Sequence, residues 1–488
     1  MQLEVTSQLP ETVKADALFL PVYEGTLGHV AARMDRELKG QLQSFISLEE
    51  FHGKYGKFMT TSYNGTLRRV ILVGLGKKDE LTEDKLKKIF GSISRLAREI
   101  KTKKIAVALD DLQGDETNLG NIAAQGLLLG NYRYDLYKTQ DKDNIPVDTA
   151  ILLTEKKVQA GVKEGIIIAD SMIIVRNLVN TPSMIKVPVY LAQEAKKICK
   201  EAHVSIDIYG REKIGRMGMH GLLAVNAGSV NEPQFLVMEY RPRYPRKKIV
   251  FVGKGITFDS GGLGIKPGKN MLTMKEDMTG AATVIALLRA ASLLKLPYHL
   301  IGIAPLTENM PGNNAYKPGD ILKTYNGKTM EILHTDAEGS VILADALGYA
   351  SALKPDVIID LATLTGAMVI ALGTCAAGVM GNNDVLAQQL VAAGKATGEK
   401  VWQMPLYEEY DEMIKSDVAD VKNLGSWDGI AGGLTAAAFL KAFVDEKIPW
   451  AHLDIAGVSF IDKDEGYYCK GGTGFGINLL LEYLRNLE

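Results

Sequence analysis

Between residues 247 and 361 the chain repeats one pattern: an apolar run of strand length, a glycine-rich loop, then a helical stretch. That alternation restricts the fold more than any other feature. Residues 247–253, 299–305, 330–334 and 355–361 read as strands, and 279–294 and 341–353 as helices. Apolar runs without a polar alternate are strands buried on both faces. A strand, a helix and a further strand bring the chain back parallel to itself, so the pattern predicts an α/β fold with helices on both faces of a mainly parallel sheet. Functional groups then belong in loops at the carboxyl ends of the strands.

The first 165 or so residues carry their own set of elements. Residues 17–21, 69–73, 105–109 and 149–153 read as strands, 155–174 as a helix leading onward, and 76–80 and 137–144 as charged surface loops. A chain of 488 residues, 46% hydrophobic, is too long for one core. Two domains are therefore expected, a smaller N-terminal α/β domain over 1–165 and a larger one over 166–488 that carries the chemistry. No chemical motif marks the first, which leaves assembly and access to the site as its expected role.

Two segments put acids where a buried core would reject them. One runs Val252-Gly-Lys254-Gly-Ile-Thr-Phe-Asp259-Ser-Gly-Gly, then Lys266-Pro-Gly, then Met274-Lys-Glu-Asp277; the other is His334-Thr-Asp336-Ala-Glu338-Gly-Ser340. In both, a buried strand ends in carboxylates just before an apolar helix. An unpaired buried charge costs several kcal/mol or shifts its pKa. Divalent cations would compensate the acids, and Asp259, Asp277, Asp336 and Glu338 supply hard oxygen donors enough to hold and bridge two of them. Lys254 would ligate only as a neutral amine, which two nearby dications favour. Taken singly, a strand-end aspartate is a cap or turn residue; five candidate ligands in two such contexts are not explained that way.

Other chemistries are disfavoured. Gly253-Lys-Gly255 resembles the start of a dinucleotide turn, but Phe258 stands at its third glycine position, and after Gly74-Leu-Gly76 that position is Asp79. A net charge of -2 offers no footprint for nucleic acid or an anionic membrane. The start lacks a basic region followed by an apolar stretch, and no run of about 18 apolar residues occurs, so a soluble cytoplasmic protein is expected. Cys199, Cys375 and Cys469 are too few and too scattered for a disulfide framework or a thiolate zinc site.

The two acid-bearing segments resemble the signatures of the leucyl aminopeptidase family, also called cytosol aminopeptidases, whose second signature reads Asn-Thr-Asp-Ala-Glu-Gly-Arg. The resemblance continues through residues 176–182, 308–311, 316–320, 363–367 and 450–457, and so spans 165–488 and, more loosely, the first domain. It implies an aminopeptidase that removes a leucine-like first residue from peptides with two divalent ions, manganese or zinc foremost, magnesium or cobalt as alternatives. Asp259, Asp336 and Glu338 would hold one ion, and Lys254, Asp259, Asp277 and Glu338 the other. The resemblance further implies that Lys266 contacts the tetrahedral intermediate, that Met274, Thr363, Ala456 and Ser459 line the pocket for the first side chain, and that backbone groups at Leu364 and Gly366 hold the peptide. A homohexamer with sites facing an interior cavity is implied as well.

One departure concerns the proton shuttle. Where the family places an arginine that binds a bicarbonate base, this chain has Ser340, which offers no bidentate charged clamp. Retention of bicarbonate is therefore not expected. Loss of that base would lower the rate roughly 10²–10⁴-fold, and its replacement by another group would leave turnover normal with an altered pH profile. His334, in place of the family's asparagine, is a candidate substitute base, although a lone strand-end histidine is more often structural. The alternative reading is a relative that keeps fold and metals for a structural or regulatory role.

Overall fold

The computed structural model describes residues 1–62, 67–140 and 145–487, so part of the loop expected over 137–144 lies outside the described residues. The chain forms two compact units. One comprises Met1–Ile173 with Lys463–Lys470, the other Ile174–Asp462 with Gly471–Glu488.

In the first unit six strands form a sheet in the order Gln2–Thr6, Thr149–Leu153, Lys104–Ala108, Ala15–Val22, Leu67–Gly74 and Phe58–Ser62, parallel except for the last pair. Successive side chains enter two different cores, as the two-residue period of a strand requires. Ala17, Phe19, Ile71, Val73, Ile105 and Val107 pack against the helices Glu83–Glu99 and Glu116–Asn131. Leu18, Leu20, Val70, Leu72 and Ala106 pack with Val30, Met34 and Leu42 on the opposite face. Thr82 and Asp115 begin the two long helices, each accepting a hydrogen bond from the backbone N–H three residues on, at 3.3 and 2.8 Å.

The second unit is built on a nine-stranded sheet. Its order is Val401–Gln403, Ala377–Gly381, Trp450–Asp454, Val357–Ala362, Lys248–Gly253, His299–Asn309, Gln234–Tyr240 and Ser205–Gly210, with Gly255–Asp259 pairing beside the far half of His299–Asn309. The four central strands, from Trp450–Asp454 to His299–Asn309, run parallel. Antiparallel strands flank them. The helix Glu338–Ala352 packs Val341, Ile342 and Leu347 with Val250, Val252, Ile303 and Ile358. On the other face, Gly302 leaves room for Val284 and Leu288 of the helix Thr279–Leu293, which a Cβ there would approach to 2.8–3.1 Å. The architecture is thus α/β with a mainly parallel central sheet, as the alternation predicted.

Several boundaries differ from the sequence reading. The expected strand over 330–334 closes after Thr329–Glu331, because Asn423 takes the backbone of the next turn, accepting from Leu333 N at 2.8 Å and donating to His334 O at 2.8 Å. The helix expected from 341 begins at Glu338, whose negative charge suits the positive end of the helix dipole. The helix expected over 155–174 is Gln159–Asn180.

Candidate metal centre and active site

The carboxyl ends of the central strands meet at one edge of the larger sheet. Lys254 separates the strands Lys248–Gly253 and Gly255–Asp259; its N–H donates to Leu361 O at 3.0 Å and its carbonyl accepts from Ala281 N at 2.9 Å. The backbone there is too crowded for side chains on its neighbours. A Cβ on Gly253 would sit 2.4 Å from the carbonyl group of Gly280, so the helix Thr279–Leu293, which Asp277 shortly precedes, could not come up against the strand. A Cβ on Gly339 would sit 2.5–2.6 Å from Cε and Nζ of Lys254, in the space the lysine side chain needs.

Around that point the acids and lysines interlock. Lys254 Nζ lies 2.8 Å from Asp277 Oδ1 and 2.9 Å from Glu338 Oε1, and donates to Thr363 O at 2.9 Å. Lys266 Nζ lies 2.8 Å from Asp259 Oδ2 and 2.6 Å from Asp336 Oδ1. Asp259 Oδ1 accepts from Gly261 N and from Asn309 Nδ2, both at 2.8 Å. Asn309 Nδ2 also donates to Thr335 O at 3.0 Å, which ties the end of the strand His299–Asn309 to the turn bearing Asp336. Thr363 Oγ1 donates to Asp277 Oδ1 at 2.7 Å.

Burial sets the titration of this cluster. Desolvation opposes the charge on Lys254, but Asp277, Glu338 and Asp259 outweigh it and hold the ammonium above the ordinary lysine range. Lys266 is raised by the same balance, with Asp259, Glu338 and Asp336 outweighing burial. Burial, with Asp259 as a like charge, pushes Glu338 well above the carboxylate range, and burial pushes Asp277 up to about 6 against the pull of Lys254. Four carboxylates facing two ammonium groups make a site with an excess of negative charge, which retains protons unless further cations enter.

The residues expected to hold a peptide lie on neighbouring loops. Thr363 and Leu364 follow the strand Val357–Ala362, and Gly366 opens the helix Gly366–Leu372. Ala456 and Ser459 follow the strand Trp450–Asp454. Asp454, fully buried, joins the two loops: Oδ1 accepts from Leu364 N at 3.3 Å and Ala456 N at 3.1 Å, and Oδ2 from Thr365 Oγ1 at 2.7 Å. Ser459 has no exposed surface and donates to Glu276 Oε2 at 3.1 Å, while Met274 and Ala456 are partly exposed. Ser340 is buried in the first turn of the helix Glu338–Ala352. His334 Nδ1 accepts from Asp336 N at 3.1 Å, so this nitrogen is already engaged.

Residues 173–481 match the catalytic domain of the cytosol aminopeptidase family, and residues 19–141 match its N-terminal domain. This chain belongs to the cytosol aminopeptidase family. A probable cytosol aminopeptidase of Geobacter sulfurreducens is 43% identical over 93% of this chain and 92% of its own, and one of Aquifex aeolicus is 42% identical over 97% and 96%. Among solved structures, a tomato leucine aminopeptidase carrying a point substitution superposes with a TM-score of 0.90 at 34% identity, covering 100% of this chain and 97% of that one. The bottromycin maturation enzyme BotP, solved in complex with manganese, superposes at 0.87 with 33% identity over 96% and 99%.

As a cytosol aminopeptidase, the protein is a metal-dependent exopeptidase, and its donor set fits that chemistry. Asp259, Asp336 and Glu338 each present an oxygen within 4.8 Å of the others. Asp277 Oδ2 is buried without a hydrogen-bond partner among the described residues, an arrangement that favours a cation over a neutral neighbour. The sequence reading gave no role to Asn309, Asp454 or Glu276. Asn309 and Asp454 carry the signal that marked Asp259, a polar residue closing an apolar strand. Glu276 carries none, because an acid beside another acid in a loop is locally unremarked.

Proposed function

We propose that this enzyme removes amino-terminal residues from peptides with two divalent ions, manganese or zinc, held by Asp259, Asp336 and Glu338 on one side and Lys254, Asp259, Asp277 and Glu338 on the other. Supporting this reading is the convergence of four carboxylates on two lysines at the carboxyl edge of the sheet, Lys254 meeting Asp277 and Glu338 and Lys266 meeting Asp259 and Asp336. Bound there, the ions supply a Lewis acid for the scissile carbonyl and lower the pKa of a water nucleophile.

The protein's own groups do the rest. Lys254 would ligate as a neutral amine, its proton displaced by the cations, and Thr363 O would continue to accept from it. Lys266 stays an ammonium and stabilises the developing oxyanion, a contribution of about 2.7–4 kcal/mol for a donor of this kind. Asn309 fixes the rotamer of Asp259 and the turn before Asp336. The first residue's stem lies along Met274 and Ala456 beside Thr363, which accommodates leucine and other long apolar side chains, and Leu364 and Gly366 supply backbone groups to the peptide. Ser340 provides no cationic clamp, so the proton passes without a protein-bound bicarbonate and turnover is slower than with an arginine there.

The N-terminal domain, residues 1–165, serves assembly and access, the remainder catalysis, and the enzyme works as a cytoplasmic homohexamer. Among the described residues, no helix is long and apolar enough to cross a membrane. The test is hydrolysis of leucine p-nitroanilide and dipeptides by protein loaded with manganese or zinc, before and after chelation. Release of the first residue that chelator abolishes supports the reading; cleavage of substrates with a blocked α-amine at equal rate would sink it.

A further inference from the structure

An acid, Glu276, meets one of the residues assigned to the pocket for the first side chain. Ser459 is fully buried and donates to Glu276 Oε2 at 3.1 Å, whereas Glu276 itself is only partly covered. Asp462 is a further acid acting on the same carboxylate. The two lysines next to it are turned elsewhere. Lys186 Nζ donates to Val179 O at 3.0 Å and Lys275 O at 2.7 Å, and Lys275 Nζ donates to Asn180 O at 3.1 Å. Among the described residues no cation forms a close ion pair with Glu276, and Lys186 and Lys275 act on it only from further away.

We propose that Glu276 sets specificity at the tip of the first-residue pocket, favouring a long aliphatic stem that ends in a cation, lysine or arginine, over an apolar side chain of the same length. The proposal rests on the reading that Met274, Thr363, Ala456 and Ser459 line this pocket. Lysine and arginine carry an apolar stem and a charged tip, so one side chain satisfies both Met274 and Ala456 along the wall and the carboxylate at the end. A charge-assisted hydrogen bond in a partly dry pocket is stronger than a neutral one. Leucine reaches the wall and leaves the carboxylate unmatched.

Lysine and norleucine are nearly isosteric and differ at the tip. The experiment compares kcat/KM for lysine and norleucine p-nitroanilides at pH 8 with the metal-loaded full chain, and binding of the corresponding amino-acid hydroxamates by calorimetry. Lysine is expected to lead by roughly tenfold in both readouts, the scale of one charge-assisted contact. Glu276→Gln keeps the shape and removes the charge, and is expected to bring the ratio close to one, with Ser459→Ala between the two. A wild-type preference for norleucine, or a lysine preference that survives Glu276→Gln, overturns the proposal. If neither p-nitroanilide is cleaved but lysine hydroxamate binds tighter through Glu276, the pocket assignment stands and the catalytic reading fails. Equal binding of the two hydroxamates with no cleavage overturns both.

Discussion

Replacing Asp454 by alanine tests whether the loops proposed to hold the peptide depend on this shared carboxylate. Its carboxylate is fully buried and accepts three hydrogen bonds, from Leu364 N, Ala456 N and Thr365 Oγ1. Each buried donor left without an acceptor costs about 1–3 kcal/mol. Leu364, Thr365 and Ala456 are only partly covered, so water can reach the freed donors and the lower end of that range applies. The two loops then lose their common anchor, which is expected to cost about 2 kcal/mol of peptide binding, or about 30-fold in kcat/KM. The loss should fall mainly on KM. No carboxylate proposed as a ligand hydrogen-bonds Asp454, so metal content, measured by inductively coupled plasma mass spectrometry after dialysis, should stay at the wild-type value. Asp454→Asn keeps one acceptor oxygen and should recover part of the loss. The assay is steady-state hydrolysis of leucine p-nitroanilide alongside thermal melting. A variant whose kcat/KM stays within about threefold of wild type, or that loses its metal along with its activity, would refute the argument.

Three other outcomes follow from the same geometry. Asp277→Asn removes a charge from a carboxylate whose Oδ2 has no hydrogen-bond partner among the described residues, so metal content should drop and activity vanish while the chain stays folded by circular dichroism. Ser340→Arg should raise kcat in bicarbonate buffer, by up to roughly 10²–10⁴-fold, and leave it unchanged without bicarbonate; a rise independent of bicarbonate would contradict the assigned role. Asp345 is buried, which pushes its carboxyl up to about 7 against backbone hydrogen bonds from Leu222, Tyr325 and Gly221. Its folded pKa lies above its unfolded one, so the native state holds the extra proton, and stability from this group grows as pH falls from about 7 towards the unfolded value near 4. The melting temperature of wild type minus that of Asp345→Asn should therefore become more positive between pH 8 and pH 5, at matched metal loading. A difference that is flat or reversed would rule out the burial of an ionised Asp345.

By itself the sequence determined the fold class and singled out the acids and lysines that gather at one site. The continuous apolar runs at 247–253 and 299–305 could only be strands covered on both faces, and Asp259, Asp336 and Glu338 stood out because carboxylates at the ends of such strands are anomalies within a few residues of chain. Both signals are local, carried by side-chain character and spacing. The larger sheet holds further strands that those runs did not announce, among them Ser205–Gly210 at its edge, where Ser205, Ile206, Asp207 and Ile208 alternate as a half-covered strand does. What tertiary structure decided is which charge meets which. Lys254 takes Asp277 and Glu338, Lys266 takes Asp259 and Asp336, and those choices follow from the step between two strands at Lys254 and the helix starts packed against it. Glu276 and Ser459 lie 183 positions apart, and Asp454 and Leu364 lie 90 apart. No periodicity or composition links residues at such distances. The strand order brings them together, and strand order is fixed by burial of both sheet faces at once, a property of the whole core.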